Sequence, residues 1–96
     1  MSFAFHPEAE KELNEAIDYY EDIESGLGYD FALEVYSTIN RSLDFPKAWS
    51  VLEGDVRRSL VRRFPYGVLY SEEKDEIFIV AVMHLHRKPG YWKHRV

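Results

Sequence analysis

Apolar residues follow two different periods in the two halves of the chain. Ala9, Leu13, Ala16, Ile17, Tyr20 and Ile23 recur at steps of three and four, laying one stripe along a helix. The stripe predicts an amphipathic helix from about Pro7 to Glu24. Pro7 suits its first turn, where a missing N–H costs nothing, and Glu8 and Glu10 sit where the helix dipole favours negative charge. The glycines of "SGLG" (Ser25–Gly28) break the helix. A second stripe, Ala32, Val35, Tyr36, Ile39 and Leu43, predicts a helix from about Gly28 to Asp44. Pro46 ends it by pushing its predecessor out of the helical region. So short a connection predicts an antiparallel helix hairpin.

Outside the helices the pattern is that of sheet. In "SFAFH" (Ser2–His6), Phe3 and Phe5 share one side of a short strand. After a loop holding Pro46, Trp49 and Gly54, "VRRSLVRRF" is rich in β-formers and "YGVLYSE" alternates Tyr66, Val68 and Tyr70 against Gly67, Leu69 and Ser71. "EKDE" reads as a turn. "IFIVAVMHL" is apolar on both faces and predicts a central strand covered on both sides. Short connections predict an antiparallel meander. The expected fold is α+β, one domain over residues 1–96. A short N-terminal strand and an antiparallel helix hairpin accompany a mainly antiparallel sheet of three to four strands, with the hairpin on one sheet face. "HRKPGYWKHRV" is expected along the rim of the other face.

Charge changes this picture more than composition does. The chain has no cysteine, which excludes disulfides and thiolate chemistry and agrees with a reducing cytoplasm. No apolar run approaches the ~20 residues of a membrane span. The opening "MSFAFHPEAEKEL" lacks the basic and apolar segments of a secretory leader, and none is expected. The net charge of -5 conceals a division. Residues 1–50 hold eleven Asp and Glu against three Lys and Arg, net -8, and residues 51–96 hold six against nine, net +3. Either the basic half faces a polyanion or the two halves pair internally.

Four segments, "HPEAEKELNEAIDYYEDIESGLGYDF", "FPKAW", "VRRSLVRRFPYGVLY" and "HLHRKPGYW", resemble the RelE/ParE superfamily of type II toxin–antitoxin toxins across nearly the whole chain. The "FPY" and "HRKPGYW" wording is similar to its ParE-like members. The resemblance implies the α+β fold read above, growth inhibition, plasmid stabilisation and a cytoplasmic protein without cofactor. It also implies a cognate antitoxin that wraps an amphipathic or extended segment over the toxin, and oligomers formed through that antitoxin. The target it implies is DNA gyrase for a ParE-like member, or the ribosome and its mRNA for a RelE-like one. A degenerate, non-toxic binding module is the third reading. RelE-like nucleases place an arginine before the "L-V-Y" of a strand, where this chain has Gly67, and there is no lysine between Lys47 and Lys74.

Metal-free RNA cleavage needs a base for the 2′-hydroxyl, cations for the phosphate and an acid for the leaving oxygen. The candidates are Arg57, Arg63, His84 and His86, the histidines lying two apart and so on one side of a strand. Arg58, Arg62, Arg87, Tyr91, Trp92 and Lys93 are candidates for nucleic-acid or target contact. In strict alternation Arg58 and Arg62 share a face with Leu60 and Phe64, and Arg57 and Arg63 share the other with Ser59 and Val61. The competing reading pairs some arginine heads with the acidic first helix while their stems cover apolar surface. It packs Tyr91 and Trp92 onto the sheet and leaves Glu8, Glu12, Glu15, Asp18 and Asp22 as a solvated face. Two histidines without cysteine predict no metal site.

Overall fold

Both apolar stripes become helices, and the computed structural model describes all of residues 1–96. In chain order the elements are β1 (Ser2–Phe5), α1 (Pro7–Ile23), α2 (Leu27–Asp44), β2 (Ser50–Glu53), β3 (Val56–Leu60), β4 (Tyr66–Glu73) and β5 (Glu76–His84). A single 3-10 turn, Lys93–Arg95, follows. His6 caps α1, its Nδ1 accepting from the Glu8 N–H at 3.0 Å. The cap of α2 is Gly26, whose φ of +91° suits glycine, and it offers no side chain. Glu21 of α1 supplies the acceptors instead: its Oε2 takes the Gly26 N–H at 2.9 Å and its Oε1 the Gly28 N–H at 3.0 Å. A carboxylate thereby sits at the positive end of the α2 dipole.

The sheet has five strands in the order β1-β5-β4-β3-β2. β1 pairs parallel with β5, and every other pair is antiparallel. The count exceeds the expected three to four because Ser50–Glu53, read as loop, forms the edge strand β2. All four of its residues are exposed, so no alternation marks it in the sequence. β3 also stops at Leu60, short of the expected strand. Val61–Pro65 is irregular, and Arg63 takes a φ of 71°. The strict alternation expected for the four arginines is therefore broken: Val61 and Phe64 enter the same core cluster.

The helices cover one sheet face. Ala9, Leu13, Phe31, Val35 and Ile39 meet Val68, Tyr70, Ile77, Ile79 and Val82 there. Tyr20, Phe31, Phe64 and Tyr66 form an aromatic cluster with ring centroids about 5–6 Å apart. On the other face Val56, Leu69, Val80, Ala81 and Met83 are covered by Trp92, which is 4% exposed. The tail lies across that face, further in than the rim expected for it. A register shift leaves Val80 as the extra residue of a bulge opposite Leu69 and Tyr70.

β1 spans only Glu76–Ile79 of its neighbour β5. Beyond it, side chains take the place of a strand. The Val82 N–H donates to Glu12 Oε1 at 3.0 Å, and Arg95 Nη1 donates to the Val80 carbonyl at 3.0 Å. Unpaired groups on a strand edge invite foreign strands; here an ion pair fills part of that edge.

Candidate functional site

The basic stretch around β3 does not converge on one point. Arg57 points to the helix side and donates from Nη1 to the carbonyls of Trp49, 2.7 Å, and Lys47, 3.3 Å. Together with the Tyr70 hydroxyl, which donates to the Pro46 carbonyl at 2.7 Å, it fastens the loop between α2 and β2. Burial pushes the Tyr70 hydroxyl pKa up. Arg63 is exposed and faces two acids of the second helix, Asp30 at 3.7 Å and Glu34 at 3.9 Å. The pairing expected with the acidic first helix is thus made by α2 for this residue. Such exposed pairs contribute little, about 0–1 kcal/mol.

Arg58 pairs across the ladder with Leu69 and so lies on the tail-covered face. Its stem runs over Gly67, where an added Cβ would come within 3.1 Å of Arg58 Cγ and Cδ. The position of the RelE-type arginine is therefore filled by methylenes from the neighbouring strand. Arg62 is exposed on the irregular segment that follows β3. Arg58, Met83, Leu85, Arg87 and Trp92 line a groove of about 310 Å3 on this face.

His84 and His86 lie near each other, with ring centroids 5.2 Å apart. The strand that would put them on one side ends at His84, and His86 sits in the following turn. The His86 N–H donates to His84 Nδ1 at 3.1 Å, and His84 packs edge-on against Tyr66 at 5.1 Å. β4 separates this strand from β3, so His84 has no place beside Arg57 or Arg58 across a ladder. No group of three His, Asp or Glu side chains is placed to hold a metal ion.

The densest polar cluster gathers on Glu12 instead. Its carboxylate, 13% exposed, accepts from Arg95 Nη1 at 2.9 Å, Arg95 Nη2 at 3.0 Å, the Tyr91 hydroxyl at 2.7 Å and the Val82 N–H. Arg87 stacks over the Tyr91 ring at 4.0 Å and reaches Glu12 at 3.8 Å. Burial, then the hydrogen bond to Glu12, holds the Tyr91 hydroxyl protonated well above the usual tyrosine range. The hydrogen bond to Glu12 likewise raises the pKa of Arg95. Glu12 is thus no part of a solvated face. Nothing in the sequence separates it from Glu8 or Glu15 on the same helix. Trp92 packs on the sheet with Tyr91 beside it, and Lys93 meets Glu53 at 3.1 Å.

The family model described as the ParE toxin of the type II toxin–antitoxin system, parDE, matches residues 3–89. Among solved structures, a chain of the chromosomal ParDE TA system from P. aeruginosa superposes with a TM-score of 0.78 at 14% identity. The match covers 90% of this chain and 97% of that one. No curated protein matches the sequence.

Proposed function

This chain belongs to the ParE toxin family of type II toxin–antitoxin systems, and from that premise we propose that it is a cytoplasmic growth inhibitor silenced by a cognate antitoxin. It acts by stoichiometric binding to an essential target of the DNA gyrase kind. One observation carries this reading over mRNA cleavage: the arginines and histidines that would form a cleavage centre are spent on separate tasks. Arg57 holds a loop, Arg63 faces α2, and β4 lies between the strands of His84 and Arg57. Cleavage of an RNA phosphodiester needs a base, an acid and a phosphate clamp around one atom.

An antitoxin segment has a surface to meet. Tyr29, Leu33 and Tyr36 stand exposed at steps of four and three along α2, and Tyr36 adjoins Phe3 and Phe5 of β1. An amphipathic helix recognises such a row through anchors of the same spacing.

Inducing the gene without antitoxin tests the reading. Growth arrest with a DNA-damage response and intact mRNA is expected. Transcripts truncated at ribosomal A sites would replace target binding by cleavage, and unimpaired growth would remove the toxin activity.

A further inference from the structure

We propose that the pocket where β3 ends, between the last turn of α2 and the start of β2, is a binding site for a phosphate group. Arg41, Arg58 and Arg62 line this pocket of about 300 Å3 together with Trp49 and Ser50. No acidic side chain is in its walls.

None of the three arginines has a carboxylate within ion-pair distance, whereas Arg63, Arg87, Lys93 and Arg95 each have one. In a chain of net charge -5, three guanidinium groups line one pocket with no carboxylate in its walls. Like charges repel at this range, and an anion among them reverses the sign of the interaction. The surroundings hold two of the arginines in place. Arg41 Nη2 donates to Thr38 Oγ1 at 3.0 Å. The Arg58 stem rests on Gly67, and Arg57 fixes the Lys47–Trp49 wall through two carbonyls.

Phosphate fits this set better than carboxylate. Each guanidinium offers a planar fork of donors, and three forks need more acceptor oxygens than the two of a carboxylate. The phosphate could be a free anion or a phosphodiester in a nucleic-acid strand, and both present the same chemistry. The site is separate from the α2 row suited to an antitoxin, so it stands apart from the toxin reading.

Calorimetric titration of the full chain at constant ionic strength, with inorganic phosphate, pyrophosphate, a short oligothymidylate and acetate, tests the site. Saturable binding is expected for at least one phosphate probe, weakened about tenfold in Arg41→Gln and Arg62→Gln, as for loss of a hydrogen bond to a charged group. Circular dichroism confirms that the variants fold, and Lys88→Gln, which changes an exposed cation elsewhere, should bind like the unaltered chain. Tighter binding of the oligonucleotide assigns the site to a strand backbone, and tighter binding of phosphate or pyrophosphate assigns it to a free anion. Absence of saturable binding, equal binding by the arginine variants, or acetate binding as tightly as phosphate would overturn the proposal.

Discussion

Glu12 and Tyr91 hold together parts of the chain that lie far apart in sequence. Their hydrogen bond joins α1 to the tail, and it exists only while the tyrosine is protonated. The folded state raises the Tyr91 pKa above the ordinary 10.0 by burial first and the Glu12 bond second. A group whose pKa is raised on folding stabilises the native state fully below its unfolded value, and that stability is lost as pH rises towards the folded value. Stability should therefore fall from about pH 10 upward. Tyr91→Phe should make that fall shallower, because a phenyl ring has no proton to lose. Denaturant titrations at pH 8 to 11 measure both slopes, and identical slopes would remove Tyr91 from the account. At this scale the sequence was least legible. Tyr91 was open between target contact and tail packing, and Glu12 looked like any other acid on its helix. Partners 79 and 83 positions away set where the two side chains sit, and no local pattern encodes such distances.

At the scale of elements, the helix hairpin depends on how closely its arms approach at the turn. A Cβ on Gly28 would lie 2.5 Å from the Ile17 carbonyl oxygen and 2.9 Å from Glu21 Cβ, so the helices touch there through backbone. Gly28→Ala should force them apart and destabilise the fold by about 1–3 kcal/mol, the usual cost of overpacking. Urea unfolding measures it; an unchanged midpoint would show that the turn absorbs a methyl group. Both helices were legible because the burial of one stripe repeats along each of them. The central strand β5 was legible for the same reason, being apolar on both faces. The exposed β2 carried no such signal. The end of β3 was hidden because "VRRSLVRRF" continues in β-favouring residues past the point where Arg63 turns the chain.

Across the whole molecule, the opposed charges of the two halves meet at two places: Glu12 with Arg95 and Arg87, and Asp30 and Glu34 with Arg63. The α+β fold was legible as a whole because hydrophobic periods and short connections leave few arrangements. The dispersal of the basic residues was not, since it depends on where one strand ends and which strand lies between two others. The short parallel pairing of β1 with β5, prolonged by Glu12 and Arg95, also sets an order of events during synthesis. Residues 2–5 find their partners only at residues 76–79, so the helix hairpin leaves the peptide exit tunnel long before its sheet can close. Pairing at such separation is slow, because loop closure precedes any gain from contact. A chain stopped after Asp75 should be digested rapidly by protease while the full chain resists; a resistant fragment would refute this order. Nearly the whole message must be read before the fold closes, so the apolar stripes of the helix hairpin wait uncovered through most of synthesis.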